Sequence, residues 1–457
     1  MYKKLLVSFY IGMYAINATA KQSDFDAVLQ CHTHADTPGM AVRLDQSGKH
    51  IYSGAAGIAN IETMEALQID DIFQIGSVTK TFTAAAILKL SEQKKLSLQD
   101  TLGQFIEDIN PEYNDLTIDR VLSHTSGLPD YLADPSVAML YDHYAAIDQV
   151  IQRISKQPLS AKSGLKYRYS NLGYVLLGKV IEVTSGMPYD QFMLKTFFKP
   201  LKMDDTFVIT SGTSAGKVKG YTSSRNQPEH YLIPEEVTDR AWKVDRSWIY
   251  SAGAIASTLK DMSLWQNGLK SGLVISEQSY QLMTSNARLD NNQPVNYGYG
   301  LDVFSISGLQ SVSHQGMVPG FFAWHVYFPS EDLTATAFTN IDSKHPGPAL
   351  LDMIGLQLKL SPKPIGGEQE VDDLATSLVG NYRAPDSKIL TISFEQGTLY
   401  SQYQGENKRK LIPRENDSYS YECTENYFQL RTVEGNAELV PVYLYQGEQE
   451  SLIKLSI

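Results

Sequence analysis

Gly76-Ser77-Val78-Thr79-Lys80 follows the short apolar run Asp71-Ile72-Phe73-Gln74-Ile75 and precedes the alanine-rich segment Thr81 to Ser91. The run before it predicts a strand and the segment after it a helix, with Gly76 at the tight turn between them. If Ser77 opens that helix, Lys80 lies three residues on and shares its face, so the amine can reach the hydroxyl. A serine hydroxyl is a weak nucleophile until a neighbour takes its proton, and a lysine pushed towards neutrality by a dry or cationic pocket can do so. Free backbone N–H groups and the positive dipole end of the helix also suit an oxyanion developing beside Ser77.

Spacing alone does not single out this serine. Ser-x-x-Lys occurs six times, at Ser77, Ser91, Ser163, Ser214, Ser257 and Ser451. Only Ser77 combines a preceding apolar run, a glycine at its shoulder and a long helical segment after it; the competing role for it is an ordinary helix N-cap. Two downstream motifs favour chemistry. Tyr169-Ser170-Asn171 is the only Tyr-x-Asn and immediately precedes a helical segment at Leu172. A tyrosine beside a cationic lysine can have its phenolate favoured and serve as base, then as acid for the leaving group, while Asn171 offers a donor and an acceptor to a substrate amide. His314-Gln315-Gly316 ends an expected strand, and Gly316 would let a substrate backbone approach closely. A second His-x-Gly, at His345, contains Pro346, which has no N–H to offer a strand partner.

The ordered set Ser77-x-x-Lys80, Tyr169-x-Asn171 and His314-x-Gly316, with Leu122-Ser-His-Thr-Ser-Gly-Leu-Pro129 between the first two, resembles the β-lactamase-like serine hydrolases. These include class C β-lactamases, penicillin-binding DD-peptidases, D-aminopeptidases and family VIII esterases. The resemblance runs from about residue 35 to 360 and takes in Ser251-Ala252-Gly253 with Ser257-Thr258. It implies an α+β fold: an antiparallel sheet flanked by helices, with a helical subdomain. It also implies Ser77 as the acylated nucleophile, Lys80 and Tyr169 as handlers of its proton, and Asn171, His314 and Gly316 as substrate-binding residues. The backbone N–H groups of Ser77 and Met317 would form the oxyanion hole. No metal or other cofactor is implied. In β-lactamases and DD-peptidases the third motif usually begins with a lysine that helps hold a substrate carboxylate. Here it begins with His314, mostly neutral at neutral pH if unperturbed. That places the chain nearer the D-aminopeptidases, amidases and esterases, acting on small esters or on amides and short peptides with D-residues. Penicillin binding, weak β-lactam hydrolysis, and cell-wall peptide binding or sensing without turnover are the alternatives.

The remaining sequence frames this domain. With 457 residues, 42% hydrophobic and 20% charged, the chain has the composition of a multidomain globular protein. A formal charge of −12 without basic clusters argues against nucleic-acid partners. Residues 1–20 read as a secretory signal: Lys3 and Lys4, an apolar stretch from Leu5 to Ile16, and Ala18-Thr19-Ala20 as cleavage site. The expected product is secreted or periplasmic, without a membrane span, and its oligomeric state is open. Oxidising surroundings would permit a bridge between Cys31 and Cys423, but spacing leaves open whether they pair or stay as buried thiols.

The hydrolase domain is expected over residues 21–360, with a helix at 23–34, a hairpin at 39–55, strands at 297–305, 310–314, 321–328 and 333–340, and a last helix at 349–360. Residues 361–373 read as a linker rich in Pro, Gly and acids, and 374–457 as a small antiparallel, barrel-like β domain. Two weaker signals are set aside. Gly212 to Lys217 lacks the spacing and hydroxyl of a P-loop, and Cys31-His32-Thr33-His34 has no partner pair at zinc-site spacing.

Overall fold

In the computed structural model, residues 20–360 are described apart from 134–143, 211–215, 224–230 and 233–244. So are residues 378–454 apart from 384–387, 405–407, 417, 422–423, 425, 434–435, 444–446 and 449–451. The signal segment before Ala20, the linker at 361–373 and the glycine-rich stretch before Gly216 therefore lie outside the described residues.

The main sheet is built from both ends of the hydrolase domain. Helix α1 (Gln22–Cys31) leads into strands β1 (Met40–Gln46) and β2 (Lys49–Ala56); helices α2 (Thr79–Glu92) and α3 (Asn171–Ser185) follow in the middle. Strands β3 (Asp302–Ile306), β4 (Leu309–Val318), β5 (Phe321–Phe328) and β6 (Leu333–Thr339) then precede helix α4 (Gly347–Leu358). Strand order is β3-β4-β5-β6-β1-β2, and every neighbouring pair is antiparallel. Alternating side chains give the sheet two apolar faces. One buries Val42, Leu44, Trp324, Val326 and Ala335 under Phe25 and Leu29 of α1 and Leu350 and Met353 of α4. The other meets the helical layer, where α2 is buried almost all round from Thr79 to Leu88, as an apolar core helix must be.

Two strands differ from their expected extents. The expected strand at 297–305 is regular only from Asp302, because Tyr297 folds back to bridge Asp302. The expected strand at 310–314 continues to Val318, carrying the whole His-x-Gly segment as sheet. Its pairing with β3 stops at Ser313 opposite Asp302, while its other side stays paired with β5 as far as Val318. Among the described residues, the outer edge of β4 from His314 to Val318 thus has no ladder partner.

Ser77 also sits differently from expectation. It lies in a short 3-10 turn, Gly76–Val78, and α2 starts two residues later at Thr79; the N-cap is Val78, so Ser77 does not cap the helix with its side chain. This turn presses directly on β4. A Cβ at Gly76, whose φ is +52°, would lie 2.8 Å from the Met317 nitrogen, and a Cβ at Gly316 would lie 1.9 Å from the Ile75 oxygen and 2.7 Å from the Ser77 nitrogen. Both positions must be glycine for the two backbones to touch.

Beyond residue 378 the described strands form a second antiparallel sheet with its own core, including Tyr382, Leu390, Ile392, Leu411 and Leu439. A bridge between Leu439 and Leu452 brings its two ends towards one another. Cys31 is disulfide-bonded, which resolves the open choice for that residue; the chain's only other cysteine, Cys423, lies outside the described residues. Beside Cys31, His32 bonds Asp352 at 2.9 Å, and Thr424 donates to the same carboxylate at 3.2 Å, so α1, α4 and the C-terminal region share one polar contact.

The Gly76–Gly316 contact yields a stability test. Gly316→Ala forces the strand and the turn apart at a cost of about 1–3 kcal/mol, the range for overpacked sites. The expected result is a lower unfolding midpoint in thermal or denaturant melts; a wild-type midpoint would mean the two backbones do not meet.

Candidate active site

Lys80, the second residue of α2, is fully buried, and its amine has three partners. They are Ser77 Oγ at 2.9 Å, Asn171 Oδ1 at 2.8 Å and the Ala252 carbonyl at 2.8 Å. Burial lowers its pKa to about 7, and the nearby Asp130 carboxylate opposes that fall. The neutral amine is thus within reach at ordinary pH. Two of its partners are carbonyl oxygens, which only accept, and a neutral amine has two N–H donors and one lone pair. Satisfying both carbonyls leaves that lone pair facing Ser77 Oγ, so the serine must donate to it. That is the arrangement in which a hydroxyl can be deprotonated.

Tyr169 lies near enough to Ser77 for the serine side chain to influence its phenol. Sequence reasoning expects its phenolate to be favoured by a cation. Burial instead pushes the phenol well above its ordinary value, and the Lys80 nitrogen lies over the ring face, 4.8 Å from its centroid. A lysine that is itself easily neutralised gives little support to an anion there. Tyr169 therefore keeps its proton at rest and is suited to donating it.

Asn171 is the first residue of α3, and Ser170 caps that helix by accepting from the Gly173 N–H at 3.2 Å. The Asn171 amide group points at Asp130, 3.2 and 3.3 Å from its two oxygens, while its carbonyl accepts from Lys80. One lone pair of that carbonyl remains for a substrate N–H. His314 belongs to the expected strand, but its ring is turned inward and only 3% of the residue is exposed. Its Nδ1 donates to the Gln315 carbonyl, Nε2 accepts from the Tyr297 hydroxyl at 3.0 Å, and burial lowers its pKa to about 3. It is a neutral support for the tyrosine cluster and carries no charge towards a substrate. Gly316 and Met317 bring their strand against the serine turn, so that the Gly316–Met317 backbone touches that of Ile75–Ser77.

Two residues of this site were not singled out from sequence. Asp130, directly after the Leu122–Pro129 segment, orients Asn171 and tempers Lys80. His124 has a positive φ of 56° and is buried within the cluster. Its carbonyl accepts from the Arg168 N–H at 2.8 Å and its Nδ1 from the Ser170 N–H at 3.1 Å, pinning the backbone on both sides of Tyr169. Its ring lies 4.4 Å from that of Tyr169, 4.8 Å from Tyr297 and 5.0 Å from Tyr174. Burial, with Lys80 nearby, holds it neutral. The available signal was the position of His124 inside the segment Leu122–Pro129, between the first two motifs.

The profile of the Beta-lactamase family matches residues 25–358. The chain belongs to that family. The Bacillus subtilis (strain 168) protein named Penicillin-binding protein 4* is 27% identical over 384 residues, 80% of this chain and 84% of that protein. Staphylococcus aureus (strain MW2) Protein flp is 24% identical over 70% of this chain; the match spans 63% of its own length. The fold is shared with D-amino acid amidase from Ochrobactrum anthropi SV3 complexed with D-phenylalanine, at a TM-score of 0.64 and 21% identity, over 74% of this chain and 98% of that one. It is shared too with the octameric penicillin-binding protein homologue from Pyrococcus abyssi, at a TM-score of 0.62 and 21% identity, over 95% of this chain and 99% of that one. The expected fold, a β-lactamase-type α+β domain followed by an antiparallel β domain, is the one observed, and the family is one of hydrolases that includes amidases and penicillin-binding proteins. No helix among the described residues is long and apolar enough to cross a membrane.

Lys80 provides a pH test. The rate at which a neutral fluorophosphonate labels Ser77 should climb as pH rises to about 7 and level off above it, because only the deprotonated amine accepts the serine proton. Since the Asp130 charge raises the lysine pKa, Asp130→Asn should move the midpoint to lower pH. A flat profile, or a shift upward, would contradict the arrangement.

Proposed function

We propose that this protein is an exported serine hydrolase that forms an acyl-enzyme at Ser77 on small esters, or on amides and short peptides containing D-residues. The observation that carries the reading is the three-partner coordination of Lys80, which aims an amine lone pair at Ser77 Oγ.

In acylation, Ser77 Oγ attacks the carbonyl carbon while its proton passes to Lys80 Nζ. The resulting oxyanion rests on the Ser77 and Met317 N–H groups. As the bond to the leaving oxygen or nitrogen breaks, Tyr169 gives that atom its proton and becomes a phenolate beside the lysine ammonium. Water then gives a proton to Tyr169 and attacks the acyl carbon. Ser77 Oγ departs with the proton held on Lys80, restoring both groups. Asn171 orients the substrate amide, and the unpaired edge of β4 from His314 to Val318 can receive an extended substrate as an added strand.

A neutral His314 argues against a permanent cation for a substrate carboxylate at this position, which supports esterase or amidase chemistry over β-lactam turnover. The D-amino acid amidase and D-stereospecific amidohydrolase of the same fold support D-configured substrates. Export is supported by the amino-terminal signal pattern and by the disulfide at Cys31, which suits an oxidising compartment.

Intact-mass analysis after treatment with a fluorophosphonate tests the reading. One adduct is expected on the wild type, none on Ser77→Ala, and labelling slowed by about 10³-fold or more in Lys80→Arg, whose guanidinium stays protonated. Labelling that survives Ser77→Ala would place the reactive group elsewhere. A parallel incubation with a penicillin separates the readings: a persistent acyl adduct without turnover favours a penicillin-binding role, and no adduct with either reagent favours a binding protein.

A further inference from the structure

Beside the site lies a cavity of about 750 Å³ lined by Tyr167, Asn296, Asp302, Phe304, Ser305 and Gln315 among others. It touches the catalytic segments at two points. Tyr167 is two residues before Tyr169 on the same extended stretch, and Gln315 sits between His314 and Gly316 on β4. Asp302 stands where β3 stops pairing with β4, so it marks the end of the unpaired strand edge. Its carboxylate has no hydrogen-bond or ion-pair partner among the described residues, and opposite it the buried Ser313 hydroxyl has none either. Among the described residues that line the cavity there is no lysine or arginine.

The chemistry of the site says which half of the substrate reaches this cavity. Tyr169 must protonate the leaving group, so that group departs on the side of the Tyr169 ring. Around it are His314, with ring centroids 6.2 Å apart, and Tyr297, which also faces Tyr167 at 5.8 Å. Asp302 lies close enough to Tyr167, Tyr169 and Tyr297 to disfavour ionisation of all three. The cavity therefore continues the leaving-group side. From this juxtaposition we infer that Asp302 selects leaving groups bearing a positive charge, such as an ammonium-carrying amine or alcohol, and disfavours those bearing a carboxylate. The inference deepens the proposed acyl-enzyme reading and rests on it. Partial burial alone lifts the Asp302 carboxyl to about 7, a penalty that an incoming cation relieves.

Three butyrate esters with one acyl group and matched phenols test this: 3-hydroxyphenyl-trimethylammonium, 3-hydroxybenzamide and 3-hydroxybenzoate as leaving groups, assayed at pH 8. The wild type is expected to show kcat/KM for the cationic ester about tenfold or more above the anionic one, a gap of ~1.4 kcal/mol. Asp302→Asn should bring that ratio close to one, each charged ester being measured relative to the neutral ester on the same variant. Asp302→Glu should restore the preference in part. Equal rates for the charged esters, preference for the anion, or a ratio unchanged in Asp302→Asn would overturn the role of Asp302 while leaving Ser77-dependent turnover of the neutral ester intact. Absence of Ser77-dependent turnover of all three esters would overturn the hydrolase reading itself, and this inference with it.

Discussion

A lysine amine held fully out of water is the constraint that the rest of the site answers. Burial of an unpaired ammonium is too costly to persist, so the group must either lose its proton or collect partners, and Lys80 does both. Its three partners come from distant parts of the chain: the turn before α2, the start of α3 and the Ser251–Gly253 segment. Any movement of one element leaves a buried polar atom unsatisfied, which couples the helical layer to the reactive serine. Asp130 and His124 belong to the same construction, since they fix Asn171 and the backbone around Tyr169 without facing the serine themselves.

The second constraint is backbone on backbone. The serine turn and β4 meet through Gly76 and Gly316, and this contact sets the Met317 backbone close beside that of Ser77. It also explains why β4 runs on past its partner β3. A strand that ended at His314 would leave Gly316 and Met317 in a loop, free to drift from Ser77. Pairing with β5 as far as Val318 holds them in the sheet. The open edge that results would be a liability on most sheets. Here it is short, and it lies beside the cavity where a substrate would enter.

Much of this was legible in the sequence because it is encoded locally. The apolar runs expected as strands at 321–328 and 333–340, the helix after Ser77 and the helical segment at Leu172 each follow from neighbours in the chain. The motif residues Ser77, Lys80, Tyr169, Asn171, His314 and Gly316 do converge in one place. What could not be read is what depends on tertiary surroundings. The extension of β4 to Val318 rests on β5 and the serine turn. The roles of Asp130 and His124 rest on contacts with residues about 40 positions away or more. The expected Tyr169 phenolate failed for the same reason, because spacing reveals a nearby lysine but not the burial that changes the ionisation of both groups.

Electrostatics set the character of the site more firmly than its motifs do. Three groups that could carry positive charge, Lys80, His124 and His314, are all shifted towards neutrality by burial. Two carboxylates frame them: Asp130, which holds Asn171, and Asp302, which has no hydrogen-bond or ion-pair partner among the described residues. Neutral bases suit proton transfer from a serine, because a general base must be free of its proton when substrate arrives. Among the described residues lining the cavity there is likewise no cation to balance an anionic leaving group. The same desolvation that prepares Lys80 to accept a proton therefore biases the pocket against carboxylates. Reactivity and selectivity in this protein share one physical cause.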